Sequence, residues 1–325
     1  MIYANDNTPP KYGVTTQRSL GQYYTTSTIW LDPIVSDFIG IDFERVIDPF
    51  AGGGDLVKHF PNAIGYDIDP TLGWPLNDSL LGIPATRPGD LCITNPPYLA
   101  KNAATRLKLA DAHRYYETGF NDLYEVGIDQ CLRAFDKVVA IIPESFITTP
   151  RFKDRLTLVN IVEQPLFADT DCPVLVACWD KHESPDFRVF KNSAFVGWWR
   201  DIASTIPEPA NDNMTFNDPN GGLGLIGFDS TKGKTIRFCH GREIDEVKQT
   251  SRSKTRISIP VPVTDNLIDD CNGILGHLRQ KSADVVLSPF KGNTKTGERR
   301  RRLDFSTARK IIGLAIQNSK VRLAA

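Results

Sequence analysis

Residues 45–55 read RVIDPFAGGGD. An apolar run that stops at an acidic residue and gives way to glycines reads as a strand feeding a tight turn. Glycines let a ligand approach the backbone closely. A helix starting just after such a loop would offer free N–H groups to a carboxylate or phosphate. The loop is not the dinucleotide fingerprint, because Val57 stands where the third glycine of GxGxxG would fall if counted from Gly52. Taken alone, the stretch fits a plain strand-to-helix turn equally well.

Working outward, four more apolar runs follow: AIGYDI (63–68), DLCITN (90–95), KVVAII (137–142) and VLVACW (174–179). Several are continuous rather than alternating, as expected of strands covered on both faces of a parallel sheet. Between them, residues 122–135 (DLYEVGIDQCLRAF) set Leu123, Val126, Gln130 and Ala134 at helical spacing. These signals predict a doubly wound α/β domain with ligands at the carboxyl ends of its strands. Asp67 closes the second run at 19 positions past Asp48, where an acidic side chain is placed to accept hydrogen bonds from a ribose diol. Asp69 is the competing candidate.

The third run ends in Asn95-Pro96-Pro97-Tyr98. Two consecutive prolines lock the backbone and remove two N–H donors. The Asn95 amide oxygen and the Pro96 carbonyl are then acceptors suited to the exocyclic amino group of a planar base. Tyr98 offers a stacking face for that base.

In this order, a glycine loop, an acidic strand end and Asn-Pro-Pro-Tyr resemble the S-adenosylmethionine-dependent amino-methyltransferases that act on adenine in DNA. The likeness extends to Gly21-Gln22-Tyr23-Tyr24-Thr25-Thr26, which resembles the segment bordering the methionine part of the cofactor in gamma-type members. The family commonly has Pro where Thr26 stands. Asn77-Asp78-Ser79-Leu80 resembles the short acidic motif beside the cofactor's adenine, and Ile142-Pro143-Glu144-Ser145-Phe146 resembles the following strand end. Phe167 stands where the family places an aromatic that stacks on the flipped base, with Phe146 as the alternative. The resemblance covers roughly residues 20–182. It implies a Rossmann-like methyltransferase sheet and S-adenosyl-L-methionine as cofactor. The implied cofactor residues are Tyr23, Tyr24, Thr25, Asp48, Pro49, Phe50, Ala51, Gly52, Gly54, Asp67, Ile68, Asp78 and Asn95. The implied catalytic set is Asn95, Pro96, Pro97, Tyr98 and Phe167.

Other chemistries fit less well. Cytosine-C5 enzymes need a Cys nucleophile after a proline, and no Pro-Cys dipeptide occurs here. N4-cytosine enzymes more often carry Ser at the position of Asn95. Asn-Pro-Pro-Tyr also occurs in methyltransferases of protein glutamine or of RNA, which usually lack the upstream Gly-Gln-Tyr-Tyr-Thr segment and a basic domain of ~100 residues or more. The reading from another class is a catalytically silent nucleic-acid-binding protein.

The whole chain has 325 residues, 41% apolar and 24% charged, a globular balance with room for about two domains. Residues 1–225 carry 18 Lys+Arg against 29 Asp+Glu, while residues 226–325 carry 20 against 10. The net charges are therefore -11 and +10, which sum to the chain's -1. A basic C-terminal part suggests a polyanion partner. The expected division is a catalytic domain over 1–184 and a smaller, β-rich DNA target-recognition domain over 185–325. Short β-leaning stretches (KTIRF, RISIPVPV, DVVLSPF) and a last helix starting at Ser306 make up the latter. The run Arg299-Arg300-Arg301-Arg302 is expected to touch DNA phosphates. Double-stranded DNA is the expected partner of a monomer, with a separate restriction endonuclease as an optional second one. The six cysteines form no CxxC pair and the five histidines no metal spacing, so no metal is expected. No signal segment or spanning stretch is read in the sequence, and the expected location is cytoplasmic.

Overall fold

The computed structural model describes residues 25, 27–167, 170–209, 213–245 and 251–324. Tyr23 and Tyr24 lie outside the described residues. The apolar runs form strands β1 (Arg45–Asp48), β2 (Ile64–Gly65), β3 (Asp90–Thr94), β4 (Lys137–Pro143), β5 (Leu156–Val162) and β6 (Val174–Trp179). Strand β5 gives no clear signal in the sequence, because Thr157 and Asn160 interrupt its apolar run. A hairpin of β7 (Arg188–Lys191) and β8 (Ala194–Trp198) completes one eight-stranded sheet. Its order is β2-β1-β3-β4-β6-β5-β7-β8. Six strands are parallel, and β6 and β8 run against them. Every residue of β3 and β6 is buried, which is why these strands carry no polar alternation. The fold is the doubly wound α/β type that the run pattern implies.

Strands β2 and β3 leave β1 on opposite sides. A crevice therefore opens between the carboxyl ends of β1 and β3, where ligands bind in open α/β sheets. Helices α1 (Pro33–Ile39), α2 (Lys101–Arg106) and α3 (Leu123–Ala134) flank the sheet. Helix α3 forms where the spacing predicts it, with the Asp122 carboxylate accepting from Tyr124 N at 3.4 Å. The helix expected after the glycine loop is absent. The β1–β2 crossover holds a single 3-10 turn, Val57–His59, and Pro61 with Asn62 at φ 58° turns the chain straight into β2. No helix N-terminus therefore stands behind the glycines to receive an anion.

The sheet runs on past residue 184 through β8, so the expected boundary falls inside it. Beyond α4 (Trp199–Ala203) comes a four-stranded antiparallel sheet of β9 (Thr215–Phe216), β10 (Leu223–Ile226), β11 (Arg237–His240) and β12 (Lys254–Ser258). The hairpin of β13 (Ser288–Asn293) and β14 (Arg299–Arg302) follows α5 (Asp265–Ser282), and α6 (Phe305–Ala324) follows the hairpin. The 18-residue α5 is hidden in the sequence by Gly273, Gly276 and an Asp/Asn-rich first half, all poor helix formers. Helix α6 is capped by Asp304 rather than Ser306, with Thr307 N donating to Asp304 Oδ1 at 2.9 Å. Apolar side chains from β4, β10, β12, α5 and α6 belong to one continuous core.

Candidate functional site

Strand β1 delivers Asp48 to the crevice with 1% of its surface exposed. Its Oδ1 accepts from Thr94 Oγ1 at 2.6 Å and from Phe50 N at 3.0 Å. Its Oδ2 is buried without a partner. Burial pushes the carboxyl up to about 7, and the charge of Asp67 adds to the push, while the bonds from Thr94 and Phe50 work against it. Asp67 stands past β2, where its Oδ2 accepts from Gly52 N at 2.8 Å and its Oδ1 from Asp69 N at 2.9 Å. The second strand end thus fixes the glycine loop of the first. Asp69 is committed to capping the Pro70–Leu72 turn through Thr71 N at 2.9 Å. Both carboxylates line the cavity, and each already accepts backbone N–H bonds.

Trp74, which carries no motif signal in the sequence, holds the glycine loop from below. Its Nε1 donates to Gly52 O at 2.8 Å. A Cβ on Gly65 would stand 2.6 Å from Ala51 Cβ and 2.7 Å from the Trp74 ring. Glycine there is a requirement of this close approach.

Asn95 closes β3. Its Nδ2 donates to Thr25 Oγ1 at 3.3 Å, and its Oδ1 lies 2.5 Å from the Tyr98 hydroxyl. Tyr98 Oη is also 2.7 Å from Ile141 O on the neighbouring strand β4. The tyrosine therefore braces Asn95 against the sheet. Tyr98 is 9% exposed and Phe167 is 4% exposed, and the two rings meet edge to face at 6.4 Å. Both aromatics expected to stack on a base are thus packed in the protein. Phe167 pairs with Thr25 through an antiparallel bridge. Phe146 is fully buried against Trp179.

These residues surround one cavity of about 710 Å³, a volume suited to a cofactor-sized ligand. Its wall includes Thr25, Asp48, Pro49, Phe50, Ala51, Gly52, Asp67, Ile68, Asp78, Asn95 and Pro97. Gly54, Pro96, Tyr98 and Phe167 are not among the residues that line it. The structure adds residues 108–112, 114 and 115 to it, a segment the sequence did not single out. Within this segment Arg114 and Tyr115 donate to Asp78 Oδ2 at 2.9 and 2.8 Å. The segment lies in a 3-10 stretch with no motif spacing, which is why pattern reading passes over it. Six aspartates (48, 55, 67, 69, 78 and 111) line the cavity against two bases, Lys108 and Arg114. Such a wall suits a cationic ligand rich in hydroxyl and amino donors and disfavours a polyphosphate.

The arginine run is not the exposed basic stretch the sequence suggested. Residues 299–302 form β14, so their side chains alternate between faces. Arg299 is 7% exposed and Arg301 is 0% exposed. Arg301 binds Glu144 and, at 3.3 Å, Glu163, and Arg299 Nη2 reaches Glu163 O at 3.4 Å. Neither can contact DNA phosphates. Arg300 and Arg302, on the other face, are half-buried. Arg300 Nε donates to Asp229 O at 2.9 Å and its guanidinium lies 4.8 Å from the centre of the Phe290 ring. Among the described residues no cluster of metal-binding side chains is found, and no helix is long and apolar enough to cross a membrane.

No protein-family model matches the sequence, and comparison with curated proteins gives no match. Solved structures do match. One is a modification subunit of a putative type I restriction enzyme from Vibrio vulnificus, at 13% identity and TM-score 0.38, covering 53% of this chain and 47% of that one. Another is a putative class I S-adenosylmethionine-dependent methyltransferase from Listeria monocytogenes, at 14% identity and TM-score 0.38, covering 53% and 67%. A third is a type I restriction-modification methyltransferase subunit from Streptococcus thermophilus, at 16% identity and TM-score 0.39, covering 54% and 48%. The match spans about half the length of the Vibrio and Streptococcus subunits. The solved structures this chain resembles thus include restriction-modification methyltransferase subunits and S-adenosylmethionine-dependent methyltransferases.

Proposed function

We propose that the chain is a DNA methyltransferase that uses S-adenosyl-L-methionine to methylate N6 of an adenine flipped out of double-stranded DNA, in a restriction-modification or phage modification setting. The observation that carries this reading is the shared cavity: an acidic wall built on β1 and β2 runs directly into Asn95 and Pro97 at the end of β3. The wall fits the cofactor. The orphaned Asp48 Oδ2 and the Asp67 and Asp78 carboxylates are acceptors for an ammonium group, a ribose diol and an amino group, and Ile68 supplies apolar cover for a purine. When bound, the cofactor supplies an electrophilic methyl group carried on a cationic sulfur.

The chain's own part is positioning. An adenine amino nitrogen is a weak nucleophile because its lone pair is delocalised into the ring. The Asn95 side-chain oxygen and the Pro96 carbonyl are the two acceptors. Holding both amino hydrogens on these oxygens favours a more tetrahedral nitrogen with a localised lone pair. Asn95 cannot take a proton, so the surplus proton leaves to water. A base within a duplex is out of reach and has to be flipped. With Tyr98 9% and Phe167 4% exposed, stacking a base on either ring requires their surroundings to rearrange. Residues beyond β8 serve as the target-recognition part.

The test is transfer of labelled methyl from S-adenosylmethionine to unmethylated duplex DNA, followed by nucleoside analysis. N6-methyladenine is the expected product. N4-methylcytosine would overturn the base assignment, label confined to RNA or protein glutamine would overturn the substrate, and no label at all would reject the enzyme. Asn95→Ala should lower transfer by on the order of 10²–10³ while leaving cofactor affinity nearly unchanged. Equal loss of both would remove Asn95 from the reaction.

A further inference from the structure

Arg301 is among the largest fully buried side chains. One end of its guanidinium donates to Glu144 Oε1 and the other lies 3.3 Å from Glu163 Oε1. Glu144 directly follows β4 and Glu163 directly follows β5. A single side chain of the C-terminal hairpin thus grips the carboxyl ends of two strands of the large sheet.

Each of those strand ends leads to a support of Asn95. On the β4 side, Ile141 O lies 2.7 Å from the Tyr98 hydroxyl that faces Asn95 Oδ1. On the β5 side, the chain from Glu163 reaches Phe167, which touches Tyr98 edge-on and bridges Thr25. Thr25 Oγ1 then accepts from Asn95 Nδ2 at 3.3 Å. Glu163 is further fixed by Lys191 at 2.9 Å and by Arg299 N at 3.3 Å.

A buried ion network is a poor way to gain stability, since well-packed apolar groups often do as well. What the planar, rigid fork of an arginine supplies is a set separation between two carboxylates. We propose that Arg301 is a positioning residue for methyl transfer: by holding Glu144 and Glu163 at a fixed spacing, it sets the two supports that aim Asn95. It ties the C-terminal hairpin to the reacting centre without touching substrate or cofactor. The proposal rests on the functional reading above.

The experiment compares the wild-type chain with Glu144→Gln and Arg301→Lys. It measures single-turnover methyl transfer to duplex DNA, calorimetric affinity for S-adenosylmethionine, DNA affinity by anisotropy, and thermal melting. The glutamine keeps the shape of the glutamate, and the lysine keeps the charge but loses the fork. Both variants are expected to transfer at least tenfold more slowly, with both affinities within about threefold of wild type. Transfer within twofold of wild type would overturn the proposal. So would affinity losses large enough to account for the slower transfer, or failure of both variants to fold, which would assign the network to stability alone. Wild-type transfer with unimpaired variants sinks this inference and leaves the functional reading standing. No transfer by the wild type removes the functional reading, and this inference falls with it.

Discussion

Asp48 carries an unpartnered, buried carboxylate oxygen on the cavity wall. Its carboxyl is raised to about 7 by burial and by the neighbouring Asp67. A carboxyl whose folded pKa lies above its unfolded value binds more protons in the folded state. Its contribution to stability is therefore present below about pH 4 and is lost as pH rises toward about 7. Asp48→Asn removes that titration. The melting temperature of the variant relative to wild type should rise steadily between those limits and level off above them. A difference that does not change with pH would show that Asp48 titrates normally. A cationic ligand beside Oδ2 favours the ionised form. Binding of S-adenosylmethionine near pH 6.5 should then release protons, read by calorimetry in buffers of different ionisation enthalpy. Asp48 and Asn95 are legible because each ends a continuous apolar run, while Asp67 stands two residues past β2. Trp74, Arg114 and Tyr115 are not legible. Their roles follow from where loops return in space, and loop paths leave no period in a sequence.

At the scale of the element, α3 shows how packing overrides local preference. Gly127 sits in the middle of this helix, where alanine would be favoured by about 1 kcal/mol. A Cβ there would stand 2.9 Å from Pro96 Cβ and 3.1 Å from Phe50 Cζ. The glycine lets the helix lie directly on both the glycine loop and the Asn95-Pro96 corner. Overpacking of this kind costs typically about 1–3 kcal/mol, which exceeds the propensity gain. Gly127→Ala should therefore lower the melting temperature by several degrees and slow methyl transfer, and a variant that melts higher than wild type would show that the packing here is slack. The same contrast explains which elements the sequence reveals. Strands β1, β3, β4 and β6 announce themselves by uninterrupted apolar residues. Strand β5 and helix α5 hold polar or glycine residues at positions that only tertiary contacts explain, such as Asn160 Oδ1 accepting from Ser193 N at 3.1 Å.

At the scale of the whole molecule, the basic balance of residues 226–325 is a correct count that misleads about location. Part of that charge is spent internally. Arg279 holds Asp229 at 2.8 Å and Asp284 at 2.7 Å, and Arg301 holds Glu144 and Glu163. A sequence gives charges without saying which face of a strand they occupy, so a four-arginine run looks uniform when it is not. Alternation along β14 separates the run into two classes with different measurable signatures. Arg300 and Arg302 occupy the opposite, half-buried face of β14, and their neutralisation to Gln should act on DNA binding. Each phosphate that the chain ceases to neutralise lowers the log–log salt slope by ~0.9, so the pair should flatten it by up to ~1.8 with little change in melting. Arg301→Met should do the opposite. It leaves the buried Glu144 without its cation, while Glu163 keeps Lys191, at a cost of about 3–5 kcal/mol, and leaves the salt slope unaltered. Adding Glu144→Gln to Arg301→Met should recover part of that stability, because the stranded charge is then removed. If Arg301→Met flattens the salt slope as much as neutralising Arg300 and Arg302 does, the division of the hairpin's two faces into different roles is wrong.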